Sequence, residues 1–239
     1  MNDLLLHSQS SNYLTEEVIN QAAKDPETRN NIIKFEYKLL SVYAHKFSII
    51  LLPKTEQITE WHGLISISYG LYAKGKFKFL LNFPKTFPES IPKIRFLYPL
   101  FHPLIDEYNN VDVDTLIPKW KYGQDCMVYN LLNKLYEMFI DVSYYDCVTS
   151  FNPRAAQLFS NDINSYAEEV KKQVAYSEQQ LYENRDDFIL KIKEPIYNTQ
   201  TILQKLQDIN SQKNLSFDQK KKDLLNFILQ QSKQNNLSQ

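Results

Sequence analysis

The sequence predicts an α+β fold: a four-stranded antiparallel meander flanked by helices, followed by a helical C-terminal extension. Three patterns carry this prediction. Four consecutive runs between residues 47 and 98 alternate with period two, and the segments before and after them repeat at helical spacing. Beyond about residue 184 the composition turns to Gln, Lys, Asn and Asp, yet two apolar stripes persist.

Residues 1–24 read as a polar arm with a short helix that Thr15 is placed to cap. Asp25-Pro26-Glu27 then reads as a helix start, with Asp as the cap and Pro in the first turn. Ile32, Ile33, Phe35, Leu39, Leu40 and Tyr43 recur at helical spacing, so this helix has an apolar face that needs a partner. The partner follows at once. Phe47, Ile49 and Leu51 alternate with Ser48, Ile50 and Leu52; Trp61, Ile65, Ile67 and Tyr69 alternate with His62, Ser66 and Ser68. Phe77, Phe79, Leu81 and Phe83 alternate with Lys76, Lys78, Leu80 and Asn82; Ile94, Phe96 and Tyr98 alternate with Lys93, Arg95 and Leu97. Each run therefore puts aromatic or β-branched side chains on one face and mostly polar ones on the other. Turns containing Pro53, Gly70, Gly75 and Pro84 are short enough for neighbouring strands to pair antiparallel, with the first helix covering one face.

After Tyr98 the alternation stops. A long ordered loop around His102 and Trp120 leads into a helix from about Gln124 to Ile140. Its buried side is Val128, Leu131, Leu132, Leu135 and Phe139. Asn152-Pro153 opens a further helix expected to run to about Tyr182. Two tail helices follow, marked by Ile202, Leu203, Leu206 and Ile209 and then by Leu224, Leu225, Ile228 and Leu229. Ser216 and Gln219 form a capping box for the second. The expected organisation is an arm over 1–24, a core domain over 25–183 and a helical tail over 184–239, joined by a linker containing Pro195.

Composition narrows the function. Apolar residues make up 43% and charged residues 23% of 239, which fits a globular chain. A net charge of −1 creates no long-range field, so nothing points to nucleic acid or a membrane surface. No stretch approaches the roughly 20 apolar residues of a membrane span. The opening Met-Asn-Asp-Leu-Leu-Leu-His is too short in its apolar run for a secretory signal. Cys126 and Cys147 lack any zinc or redox spacing and suggest a reducing compartment. The expected location is cytoplasmic. The four His residues sit apart from Cys and carboxylates at ligand spacing, and with four Gly there is no phosphate-cradling loop. No metal or cofactor is expected.

The segment 101–120 is the most telling. It runs Phe-His-Pro-Leu-Ile-Asp-Glu-Tyr-Asn-Asn-Val-Asp-Val-Asp-Thr-Leu-Ile-Pro-Lys-Trp. It resembles the active-site segment of ubiquitin-conjugating enzymes, in which His-Pro-Asn precedes a nucleophilic Cys and then a Trp. In that alignment His102, Pro103 and Trp120 fall in register, Leu104 takes the Asn position and Asp112 takes the Cys position. Phe83-Pro84 and Phe87-Pro88, within Phe-Pro-Lys-Thr-Phe-Pro-Glu-Ser-Ile-Pro, are similar to the family's proline-rich stretch between its third and fourth strands. The resemblance covers roughly residues 28–182 and implies the family's UBC-like fold. A thioester with ubiquitin needs a thiolate, which an aspartate cannot supply, and an isobutyl group offers no donor to an oxyanion. The resemblance thus implies a degenerate site (His102, Pro103, Leu104, Asp112, Trp120) and no enzyme activity.

Among inactive variants of the family, the fused-toes group is similar in its His-Pro-Leu loop, in Lys119-Trp120, and in Phe151-Asn152-Pro153-Arg154-Ala155-Ala156-Gln157-Leu158-Phe159 with Asp162-Ile163. That resemblance implies a scaffold or adaptor subunit working with Hook-like coiled coils in dynein-linked vesicle or ciliary transport, with cytoskeletal association. The alternative is a cofactor that binds ubiquitin for an active conjugating enzyme.

Residue by residue, Asp112 is expected to be a solvated loop carboxylate, His102 a structural pin, and Trp61 and Trp120 anchors. Cys126 is the one rival nucleophile. It lies fourteen residues past Asp112, beyond Trp120 and beside Asp125, and is expected to be an incidental thiol. Cys147 carries no functional assignment. The tail stripes Ile202, Leu206 and Ile209 and Leu225, Ile228 and Leu229 are the candidate partner-binding residues, burying either on the parent domain or in a partner's groove.

Overall fold

The computed structural model describes residues 16–43, 48–123, 126–145, 150–193, 199–212 and 214–236. Thr15, Phe47, Gln124, Asp125, Cys147 and Pro195 lie outside them.

The period-two runs pair as expected. Strands β1 (Ile49–Lys54), β2 (Gln57–Ser66), β3 (Lys76–Asn82) and β4 (Lys93–Phe96) form one four-stranded sheet in the order β1-β2-β3-β4, each neighbour antiparallel. A short helix α1 (Glu16–Ala22) precedes α2 (Pro26–Tyr43), whose first turn is capped by Asp25 accepting the Thr28 amide at 2.8 Å. Helix α2 packs against β2 and against α4 (Val128–Ile140), while α3 (Val113–Leu116) interrupts the long loop. Helix α4 starts at Val128, where its apolar pattern begins and later than the expected Gln124, because Met127 is still extended at φ −106° and ψ 168°.

The inner sheet face and these helices enclose an aromatic core. Trp61, Phe79 and Leu81 are completely buried, and Trp61 meets Tyr37 and Phe83 edge-on at 5.4 and 4.8 Å. Gly63 faces Phe79 across the β2–β3 pair, and a β-carbon there would lie 2.3 Å from the phenyl ring. Strand β2 stops at Ser66, short of the expected Tyr69, where Gly70 at φ +83° turns the chain and leaves Tyr69 exposed.

The helix expected to run unbroken from Pro153 is two helices, α5 (Pro153–Asn161) and α6 (Ile163–Gln180). Asp162 breaks them. Its backbone leaves the helical region at φ −151° and ψ 84°, and its carboxylate accepts the amides of Asn164 and Ser165, both at 3.1 Å. An Asp that can cap competes with the continuing helix and wins here.

The outer sheet face is not the solvated polar surface that its sequence suggests. His62 is fully buried and Lys78 is 3% exposed. Residues 183–191 lie across them as a strap that turns at 186–187, the Phe188 amide donating to the Arg185 carbonyl at 3.2 Å, with Phe188 and Leu190 buried and the Phe188 ring stacked on the His62 imidazole at 4.8 Å. Compact unit one accordingly runs to Lys191, so 184–191 belong to the domain and not to the tail.

The second unit, Ile192–Gln239, holds α7 (Thr199–Ser211) and α8 (Phe217–Asn236). The capping box is formed: the Ser216 amide donates to Gln219 Oε1 at 2.9 Å, and the Gln219 amide to Ser216 Oγ at 3.3 Å. Among the described residues of this unit, Ile209 alone is buried.

Candidate functional site

The site is the loop from Phe101 to Gly123, hung from a buried aromatic cluster. Tyr72 donates its hydroxyl proton to the Phe101 carbonyl, so Tyr166 must be the donor in the 2.7 Å bond between the two phenols. Burial pushes the Tyr72 phenol well above its ordinary range, which keeps it a proton donor to this carbonyl.

His102 is enclosed, and its two partners fix its state. A carbonyl only accepts, so Nε2 carries the proton and donates to Met138 O at 2.9 Å; Nδ1 is bare and accepts the Leu104 amide at 3.0 Å. Burial pushes its pKa down to about 4. Neither nitrogen remains for acid–base work, which agrees with a structural pin. Pro103 is buried, and its carbonyl accepts the Asn152 amide at 3.0 Å and Ser150 Oγ at 3.1 Å, tying the loop to the start of α5.

Leu104 is fully buried among the core residues, and its carbonyl accepts the Asp112 amide at 2.9 Å. An isolated bridge pairs Ile105 with Val111, and Asn109 turns the tip at φ +68°. The excursion from Leu104 to Asp112 is thus a closed hairpin-like turn.

Asp112 departs from the expectation of a solvated carboxylate. It is 5% exposed and caps α3: Oδ1 accepts the Thr115 amide at 3.0 Å, and Oδ2 accepts Thr115 Oγ1 at 2.7 Å. Both oxygens face their own helix. Trp120 anchors the far end, its indole donating to Pro88 O at 2.8 Å in the Phe-Pro segment before β4. Cys126 is half-exposed, with its thiol donating to Lys119 O at 3.6 Å. The structure therefore joins His102, Pro103, Leu104 and Asp112 in one bonded loop, with Trp120 fastened to a different segment.

The tail residues occupy the second unit. Ile209 is buried, Ile202, Leu206 and Ile228 are half-buried, and Leu225 and Leu229 are about half exposed. Among the described residues no group of three or more His, Cys, Asp or Glu is placed to hold a metal, and no helix is long and apolar enough to cross a membrane.

Two polar positions were not picked out from the sequence. Glu36 is completely buried in α2; its Oε2 accepts the Val128 amide at 3.3 Å, so it caps α4 from another helix. Burial raises the Glu36 pKa to about 7, with the Tyr122 hydroxyl and the Val128 amide pulling the other way. A signal existed, because Glu36 stands midway between Ile32 and Leu40 on the apolar stripe. His62 gave no such signal.

Against known proteins, the family described as "Ubiquitin-conjugating enzyme" matches residues 32–174. The chain is 29% identical over 148 residues to "Protein AKTIP homolog" of Nematostella vectensis, covering 57% of this chain and 47% of that protein. It is 26% identical over 177 residues to "Protein crossbronx" of Drosophila ananassae, covering 69% and 73% respectively. It is 29% identical over 155 residues to "AKT-interacting protein" of Mus musculus, covering 62% and 52%. The chain thus spans about half the length of the AKT-interacting relatives. With more than half of its residues matched and the four-strand meander and helices in place, the chain belongs to the ubiquitin-conjugating enzyme family, among the variants similar to AKT-interacting protein.

Proposed function

We propose that this chain is a non-catalytic UBC-like adaptor of the fused-toes type, a subunit of a protein assembly that uses Hook-like coiled coils in dynein-linked vesicle or ciliary transport. The single observation behind it is the state of Asp112. At the position the resemblance aligns with the nucleophile stands a carboxylate that is nearly buried, with both oxygens engaged in capping α3. Leu104, aligned with the oxyanion-supporting amide, is fully buried and offers no donor. A loop built this way holds its shape and has nothing with which to attack a thioester. The names of the relatives, AKT-interacting protein among them, fit a binding role.

In this reading the core domain is a rigid platform and the tail is the docking element. Leu225 and Leu229 on α8, with Leu203 on α7, leave apolar surface open on an otherwise polar helical pair. The test is direct binding of a purified Hook coiled coil to the full chain and to a chain ending at Lys191. Loss of at least tenfold in affinity on truncation is expected. Equal binding by the two would remove the tail from the proposed role, and no binding by either would remove Hook.

A further inference from the structure

The strap over the outer sheet face is bound in the manner of a peptide ligand. It adds no strand to the sheet. It presents Phe188 to stack on His62 at 4.8 Å, the Ile189 amide to His62 Nδ1 at 3.0 Å, and a buried Leu190 two residues on from Phe188. Lys78 completes the cradle. Its ammonium, nearly enclosed, donates to the carbonyls of Gln180 at 3.0 Å and Glu183 at 2.7 Å and sits 5.9 Å over the Phe188 ring. Tyr98 holds the Glu183 carboxylate at 2.7 Å. His62 lies on β2, Lys78 on β3 and Tyr98 two residues past β4, and Lys78 ties the end of α6 as well as the start of the strap. The strap lies beyond the residues that match the family.

We propose that the outer face of the sheet is a docking groove for a segment of Phe-x-Leu type, that residues 183–191 fill it in cis, and that His62 is the latch. The latch follows from the bonding pattern. Nε2 lies 3.0 Å from Glu60 Oε1, which as a carboxylate accepts, so the proton is on Nε2 and Nδ1 must stay bare to take the Ile189 amide. That one acceptor holds the strap at its centre, so losing it frees the groove for an aromatic-aliphatic segment of a partner. This inference does not depend on the chain being non-catalytic.

The experiment uses the full chain and a labelled peptide of residues 182–193. At pH 7.5 the wild-type chain is expected to bind the peptide weakly, and Phe188→Ala, with its own strap loosened, at least tenfold more tightly. Hydrogen-exchange protection of 183–191 is measured at pH 7.5 in wild type and in His62→Leu, which removes the acceptor of the Ile189 amide, alongside β2 and β3. His62→Leu should lose strap protection at least tenfold while the strands stay protected. The proposal is overturned if Phe188→Ala binds the peptide no better than wild type. It is equally overturned if strap protection is unchanged in His62→Leu, or if strap and strands lose protection together. Should Phe188→Ala fail to fold, the wild-type and His62→Leu exchange measurements decide alone.

Discussion

Asp112, His102 and Glu36 are three ionisable side chains held away from water, each for the sake of a neighbouring backbone. Removing the Asp112 cap leaves the Thr115 amide and hydroxyl without their acceptor. Asp112→Ala is expected to lose about 1–2 kcal/mol in urea denaturation, and Asp112→Cys to lose a similar amount while gaining no ubiquitin transfer. His102 is held neutral, with a folded pKa of about 4 against 6.5. The unfolded chain therefore binds the extra proton first: stability is fully present above pH 6.5 and is lost as pH falls toward about 4, by on the order of 3 kcal/mol. Glu36 acts in the opposite sense. Its folded pKa of about 7 exceeds the ordinary 4.5, so the native chain holds the proton longer, and stability falls as pH rises from 4.5 to 7 and then levels. Glu36→Gln keeps an acceptor for the Val128 amide and carries no charge. It should be more stable than wild type at pH 8 and close to wild type at pH 4.5, as read from paired urea titrations.

At the scale of elements, the β2–β3 pair is tightly constrained, because the Phe79 ring fills the space where a side chain at 63 would stand. Gly63→Ala is expected to cost about 1–3 kcal/mol, with Phe79→Leu partly relieving it in the double variant. Elements with a strong period were legible in the sequence: α2 through its Asp25 cap and apolar stripe, the four strands through alternation, and α8 through the Ser216–Gln219 box. What escaped were events decided by competition or by distance. The break at Asp162 is one, since the amphipathic pattern runs straight across it and only the cap geometry shows that capping won. The burial of His62 is another. Its parity assigns it to the polar face, and the amide that satisfies it lies 127 residues downstream. The resemblance placed the candidate site residues on one loop, and the structure bonds His102, Pro103, Leu104 and Asp112 within it. That Asp112 is a nearly buried cap depends on Thr115 facing back, which spacing alone does not reveal.

For the whole molecule, the chain divides at Lys191 into a unit with a dense aromatic core and a helical unit with little of its own. A chain ending at Glu183 uncovers the outer sheet face and should bind more hydrophobic dye than one ending at Lys191. The central claim is that this UBC-like scaffold carries no thioester chemistry, its loop being held in shape by His102, Leu104 and Asp112. It is tested most directly by intact-mass analysis of the chain after incubation with ubiquitin, activating enzyme and ATP, with and without reductant. The account predicts the mass of the unmodified chain in both. A reductant-sensitive gain of one ubiquitin, abolished in Cys126→Ser, would contradict it.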